Sequence, residues 1–70
     1  MDRVIVSSSN IRSIGYDPSG RVLEIAFLSG GIYQYEGVPE YVYDELMNAS
    51  SHGKYFAAHI KNVYPTRKII

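Results

Sequence analysis

Two tyrosines separated by one position, Tyr33 and Tyr35, are the residues of this sequence best suited to chemistry. Side chains alternate along an extended strand, so both rings would lie on one face of a sheet. Paired aromatic rings on an open sheet face can stack nucleobases, each stack contributing about 1–3 kcal/mol. The alternative is that both rings belong to the hydrophobic core. The neighbouring alternation of Leu23, Ile25 and Phe27 favours buried or half-buried tyrosines, because one-sided burial fixes the register of a strand.

The C-terminal segment is the second candidate, since it contains basic side chains and no Asp or Glu from His52 onward. Its cations and interleaved tyrosines are Lys54, Tyr55, Lys61, Tyr64, Arg67 and Lys68. Clustered Lys and Arg bind phosphates, and exposed aromatic rings stack on unpaired bases. The alternative is a solvated helix face and a frayed chain end. The chain as a whole has 7 basic and 7 acidic side chains, unlike most nucleic-acid-binding domains, which are strongly basic.

A third candidate is a protein-interaction surface built from the tyrosine-rich segment around residue 43. The chain contains 7 tyrosines, and tyrosine is enriched at protein interfaces because it is large, fairly rigid and partly polar. Tyr41, Tyr43 and Met47 cannot all lie on the helix face that Val42 and Leu46 define, so some of them should be exposed. Scattered surface aromatics that bind nothing are the alternative.

Catalysis and metal binding have little support in the sequence. Ser7, Ser8 and Ser9 precede a predicted strand without any indication of a base and an orienting acid beside them. His52 and His59 would lie about 10.5 Å apart along a helix, which suits a shared metal poorly. The chain has no cysteine, which excludes disulfides and thiolate sites and is consistent with a cytoplasmic protein. We therefore expect no enzymatic activity, no metal and no cofactor.

The candidate residues are positioned by a predicted three-stranded antiparallel meander, with strands over 11–16, 21–28 and 32–36. Asp17-Pro18-Ser19-Gly20 is a strong turn signal between the first two strands. A three-residue loop, Ser29-Gly30-Gly31, would place Tyr33 and Tyr35 beside Ile25 and Phe27. A two-residue loop would place them beside Ala26 instead. The longer loop sorts the residues better, because it leaves three polar side chains on the opposite face: Glu24, Gln34 and Glu36. A short fourth edge strand at 4–6 is a further possibility.

The hydrophobic period then changes from that of a strand to that of a helix. Val38-Pro39 begins the first predicted helix, because proline is tolerated in a first turn. Ser50 or Ser51 can cap a second helix over 54–61, and Pro65 is expected to close regular structure. With 70 residues, the chain is expected to form one domain over 1–70. The predicted fold is α+β: a three-stranded antiparallel meander packed against two α-helices.

An ordered set of short motifs then suggests a family. The segments are Ser8-Ser9-Asn10-Ile11, Tyr33-Gln34-Tyr35, Val38-Pro39 and Gly53-Lys54-Tyr55-Phe56. None is specific alone, but together they span nearly the whole chain and resemble the KTSC domain, the C-terminal domain of some lysyl-tRNA synthetases. The resemblance implies a small domain found alone in bacterial and phage proteins or appended to such synthetases, with a suggested RNA-binding role and no catalytic residue. Ala58 departs from the family, in which that position is often polar.

Taken together, these features predict a non-enzymatic, cytoplasmic binding module. The first hypothesis is RNA binding, with phosphates on the cations and bases stacked on tyrosines. Its residues are Lys54, Tyr55, Lys61, Tyr64, Arg67 and Lys68, with Tyr33 or Tyr35. The alternative is a protein partner or a homodimer that uses Tyr41, Tyr43 and Met47. Neither a membrane nor a metal is expected as a partner.

Overall fold

The computed structural model describes residues 1–70 and consists of one five-stranded antiparallel sheet and two helices. The strands are β1 (Arg3–Ile5), β2 (Ile11–Asp17), β3 (Val22–Phe27), β4 (Ile32–Glu36) and β5 (Thr66–Lys68). The helices are α1 (Glu40–Asn48) and α2 (His52–His59), both between β4 and β5. Strand order across the sheet follows chain order, β1-β2-β3-β4-β5. The predicted α+β class, the meander and both helices are confirmed.

The predicted number of strands is too low, because two short edge strands flank the meander. The predicted edge strand exists as β1, one residue earlier than expected. The other edge strand, β5, follows Pro65, where regular structure was expected to end. All three β5 side chains are exposed, so the segment has none of the apolar alternation that indicates a strand. Pro65 instead contributes to the pairing, since its carbonyl accepts a hydrogen bond from the Glu36 N–H at 2.9 Å.

The pairing of β3 with β4 sets the position of the two tyrosines. Tyr33 lies opposite Ile25 and Tyr35 lies opposite Leu23. The expected loop, Ser29-Gly30-Gly31, would pair Tyr33 with Phe27 and Tyr35 with Ile25, so the predicted register is wrong by two residues. The loop lies one residue earlier, at Leu28-Ser29-Gly30, because the Phe27 N–H donates to the Gly31 carbonyl and the Gly30 N–H donates to the Phe27 carbonyl, both at 2.9 Å. A slip of two residues leaves every side chain on its own face, so the predicted sorting of apolar and polar residues holds.

Both helices pack on one face of the sheet and form a single core with it. The fully buried large side chains are Ile11, Ile14, Leu23, Ile25, Val38, Leu46 and Ile60. Helix α1 buries Val42 and Leu46, and helix α2 buries Phe56. Tyr16 closes one end of this core, where its hydroxyl donates to the Val38 carbonyl and its ring stacks on Tyr43 at 4.9 Å.

The helix boundaries follow local capping. Pro39 is the residue before the first helical turn, as its fixed φ allows. Helix α2 begins at His52, two residues earlier than predicted, and Ser51 caps it. The Ser51 hydroxyl oxygen accepts the Lys54 N–H at 3.2 Å. The helix ends before Asn62, whose φ of 63° places it in the left-handed region that Asn tolerates better than most residues.

The outer face of the sheet, opposite the helices, carries a connected set of polar contacts. Arg3 donates to the Glu24 carboxylate and, through Nε, to the Ser13 hydroxyl at 3.1 Å. Gln34 Nε2 donates to the other Glu24 oxygen at 2.8 Å. Burial alone would raise the pKa of Glu24, but the hydrogen bonds from Gln34 and Arg3, with the Arg3 charge, hold that pKa below its ordinary value. These contacts fasten the short strand β1 to β2 and β3.

We expect Glu24→Gln to lower the free energy of unfolding by about 1–3 kcal/mol at neutral pH, since it removes the charged acceptor of these hydrogen bonds. The pKa of Glu24 is depressed in the folded state. Its stabilisation is therefore present above the unfolded pKa, near 4.5, and is lost as pH falls through the folded value. Urea unfolding between neutral and acid pH should show a smaller loss of stability on acidification for the variant than for the natural chain.

Glu36→Gln is the matched control for that variant. The change is the same and lies on the same face, but the Glu36 side chain is 48% exposed and pairs with an exposed Arg67. Such a surface ion pair contributes only about 0–1 kcal/mol. Equal destabilisation by the two substitutions, or an unchanged pH dependence in Glu24→Gln, would contradict the assignment of Glu24 as the anchor of β1.

A second prediction concerns Tyr16. Replacement by Phe keeps the ring stacked on Tyr43 but leaves the buried Val38 carbonyl without its donor, so we expect a loss of about 1–2 kcal/mol. Tyr41→Phe removes the hydroxyl of a ring that is 63% exposed and should change stability by less than about 0.5 kcal/mol. Urea unfolding of both variants tests this prediction. An unchanged free energy of unfolding in Tyr16→Phe would show that the hydrogen bond contributes little to stability.

Candidate functional site

A groove of about 460 Å³ opens on the inner face of the sheet, where the C-terminal end of α2 meets β3, β4 and β5. Its floor consists of four aromatic rings: Phe27, Tyr33, Tyr35 and Phe56. Its rim consists of five polar side chains: Asn10, Ser29, Lys61, Asn62 and Thr66. No acidic side chain lines the groove. An aromatic floor with a polar, cationic rim suits a flat ligand that carries negative charge.

The rings of the floor pack edge to face. Phe27 contacts Tyr33 with ring centroids 5.6 Å apart and Phe56 with centroids 5.5 Å apart. Tyr35 meets Phe56 in the same way at 5.4 Å. Gly31 leaves room for this arrangement, because a Cβ there would lie 2.7 Å from Cε1 of Tyr33. The floor is thus held in place by the core and by the loop before β4.

Tyr35 is the most buried tyrosine of this floor and presents a hydroxyl to the groove. Its residue is only 4% exposed, but its hydroxyl makes no hydrogen bond within the protein and is not a buried atom, so it is open to solvent in the groove. Burial raises the pKa of Tyr35 to about 12, and the neighbouring Tyr33 adds to that effect. At neutral pH the group is therefore a neutral phenol, which can both donate and accept a hydrogen bond. Tyr33 is half-buried, so the expectation of buried or half-buried tyrosines is met.

Two lysines supply positive charge at the groove. The Lys68 ammonium lies over the Tyr33 ring, 6.0 Å from its centroid, as in a cation–π contact. Lys61 follows α2 and lies on the rim next to Asn62. Neither lysine forms a salt bridge, since the two ion pairs of the structure join Arg3 to Glu24 and Arg67 to Glu36. Both charges are consequently available to a ligand.

The other predicted cations and tyrosines lie elsewhere. Arg67 points to the outer face, where it pairs with Glu36 at 3.0 Å. Lys54 is exposed in the first turn of α2. Tyr55 donates its hydroxyl to Glu45 at 2.6 Å. Tyr64 is half-buried against the core. The predicted basic segment is therefore not one surface, because strand alternation in β5 sends Arg67 and Lys68 to opposite faces.

The residues proposed for protein contacts are also divided. Tyr41 is 63% exposed on α1. Tyr43 is half-buried and stacks on Tyr16, and Met47 is half-buried against the core. The expected exposed strip is thus reduced to Tyr41, because the other two side chains help to close the core.

Sequence reasoning identified Lys61 but overlooked the other four rim residues, which come from distant parts of the chain. Asn10 precedes β2 and its side chain lies against Gly53, where a Cβ would come within 2.4 Å of Asn10 Oδ1. Asn62 has one local signal, because an asparagine just after a helix often adopts positive φ. Ser29 and Thr66 have none, since nothing in their neighbouring sequence indicates that the β3–β4 loop and β5 meet there.

A separate polar cleft brings together residues that appeared unrelated in sequence. It is lined by Ser7, Ser8, Ser9, Ser50, Ser51 and His52. His52 Nδ1 lies 2.8 Å from the Leu46 carbonyl, so the ring is oriented by backbone rather than by a carboxylate. No serine hydroxyl is hydrogen-bonded to this ring. The cleft therefore contains an imidazole and hydroxyls without the nucleophile–base contact that activates a serine.

Metal-binding groups are dispersed in the fold. No set of three or more His, Cys, Asp or Glu side chains is grouped as a metal site would require. Neither helix has the length and apolar character of a bilayer-spanning segment.

Comparison with known proteins places the chain in a family. The profile of the KTSC domain matches residues 7–64. An uncharacterized protein of Stutzerimonas stutzeri is 48% identical over 56 residues, which cover 80% of this chain and 79% of that protein. A lysine–tRNA ligase of Nostoc is 43% identical over 56 residues, which cover 80% of this chain but 10% of the ligase. The crystal structure of a KTSC domain protein from Yersinia pestis superimposes with a TM-score of 0.97 at 51% identity, covering 99% of this chain and 97% of that one. The chain belongs to the KTSC domain family.

Proposed function

We propose that this domain is a non-enzymatic binding module whose groove binds single-stranded RNA weakly, in the cytoplasm. Lys61 and Lys68 contact phosphates, and the ring of Tyr33 offers a stacking surface. The observation that carries the proposal is an aromatic groove without acidic side chains, with one unpaired lysine, Lys61, on its rim and a second, Lys68, over the ring of Tyr33 in its floor.

Charge availability favours the groove over the ion-paired part of the outer face. Cations on the outer face are already neutralised, since Arg3 pairs with Glu24 and Arg67 with Glu36. The lysines at the groove have no such partners. A phosphate that approaches the groove therefore gains two charges without breaking an ion pair, whereas on the outer face it competes with carboxylates. Local charge explains how a chain of zero formal net charge can bind a polyanion.

One further observation supports binding rather than catalysis, and another supports RNA as the ligand. The groove contains no histidine or carboxylate that could move a proton. Segments similar to this domain also form about a tenth of two proteins named lysine–tRNA ligases. The name of those proteins supports RNA as the ligand. The absence of cysteine supports a reducing compartment.

A protein partner or self-association is the second candidate, and the observation that favours it is the 63% exposure of Tyr41. One exposed ring offers little area, so this candidate is weaker than RNA binding. It predicts binding that tolerates salt and is lost in Tyr41→Ala, whereas phosphate contacts weaken steeply as salt rises.

The test is titration of the domain with a short single-stranded RNA of mixed sequence, at low and at physiological salt, followed by amide-resolved NMR. We expect shifts at the groove that weaken with salt. Lys61→Gln and Lys68→Gln should each reduce affinity and lower the slope of log affinity against log salt by about 0.7, the value for one phosphate contact on a single strand.

Arg67→Gln is the matched control for Lys68→Gln, because the two residues are neighbours in β5, lie on opposite faces and carry the same charge. We expect this control to leave affinity nearly unchanged. If Arg67→Gln weakens binding as much as Lys68→Gln, the interaction follows overall charge and not the groove. Absence of any shift at low salt would reject RNA as the ligand.

A further inference from the structure

We infer that the groove holds the base of one unpaired nucleotide, with Tyr33 on its face and the Tyr35 hydroxyl and Asn62 carboxamide at its edge. This inference rests on the proposed RNA-binding function and names what the domain would recognise. It predicts that the domain binds one extruded or terminal nucleotide and does not bind along several successive nucleotides of a strand.

Polar groups without partners in the protein converge on the groove. The Tyr35 hydroxyl and the Asn62 carboxamide both line the groove, make no hydrogen bond within the protein and are open to solvent there. By contrast, the Glu24 carboxylate of the outer face is already occupied by Arg3 and Gln34. A phenol and a carboxamide both donate and accept, which matches the mixed donor and acceptor edge of a nucleobase. A phosphate presents only acceptors, so a phosphate site would not require the amide oxygen of Asn62.

The size and shape of the groove favour one base. A volume of about 460 Å³ lies toward the lower end of the range of roughly 300–1,000 Å³ that is typical of small-molecule sites. Single-strand binding surfaces of four or more nucleotides instead use an extended basic groove with several stacking rings in succession. In this floor the rings pack edge to face against one another, so they do not form a row of parallel platforms.

The Tyr33 ring offers an aromatic face on which a base can stack. Lys68 lies over the ring, 6.0 Å from the centroid, and is held there by no ion pair. A cation over an aromatic face at an exposed site contributes less than base stacking can supply. A base can therefore displace the lysine from the ring. The freed ammonium is then available to pair with a phosphate of the bound strand.

The first experiment separates base recognition from attraction to the backbone. The domain is titrated with a short single-stranded RNA and with an abasic oligomer of the same length, which has the same phosphates and no bases. We expect the abasic oligomer to bind roughly 5- to 150-fold more weakly, the range for the loss of one base stack. Equal affinity for both oligomers would overturn the inference and leave the electrostatic proposal intact. Failure of both to bind at low salt would reject the proposed function itself.

Two variants then test the edge contacts. Tyr35→Phe removes a hydroxyl that has no partner in the protein, so the fold should be unaffected while RNA affinity falls about two- to tenfold. Asn62→Gly removes the carboxamide and keeps the backbone, because glycine adopts the φ of 63° without strain. The affinity of the abasic oligomer should change in neither variant, since that ligand has no base edge.

Asn48→Ala is the control, because it removes an exposed carboxamide at the end of α1, away from the groove. This carboxamide donates a hydrogen bond only to the Asp44 carbonyl. It should leave the affinity for RNA unchanged. Should Tyr35→Phe and Asn62→Gly bind RNA as tightly as the natural chain while remaining folded by NMR, the assigned edge contacts are wrong. A loss of affinity that is equal for RNA and for the abasic oligomer would likewise overturn them.

Discussion

Burial of one sheet face beneath two short helices is the constraint on which the structure depends. A chain of 70 residues offers little apolar surface, so nearly every large aliphatic side chain on the inner face is used, including Ile14, Leu23 and Ile25. The helices are 9 and 8 residues long and cover the middle of the sheet. Both edge strands extend beyond them and have only exposed side chains. The groove exists because β5 widens the inner face past the end of α2.

The two faces of the sheet differ in whether their polar groups are paired within the protein. On the outer face no helix excludes water, yet Glu24 is only 7% exposed, and its charge is stabilised by Arg3 and Gln34. Charges there are paired locally and hold the strands together. On the inner face the Tyr35 hydroxyl and the Asn62 carboxamide make no hydrogen bond within the protein, so hydrogen-bonding capacity remains beside the core. Groups that a fold does not use for its own stability are those available to a ligand.

Sequence patterns were sufficient where burial is one-sided and local. The alternation of Leu23 and Ile25 and the helical spacing of Val42 and Leu46 predicted the meander and the helix that covers it, because these patterns arise from the faces of regular elements. A register error of two residues left the faces unchanged. The strand β5 was missed because its stability comes from pairing with β4 and not from burial of its own side chains.

The candidate site was predictable only in part for the same reason. Tyr33, Tyr35, Lys61 and Lys68 were identified by residue type, but their grouping depends on a long-range pairing, Tyr33 with Lys68, that no local pattern indicates. That pairing also decides which cations belong together. It places Lys68 over an aromatic ring and sends the adjacent Arg67 to a carboxylate on the other face. The counted charge of a small domain therefore says little about its partners, because the topology determines which charges face the same side and which are already paired.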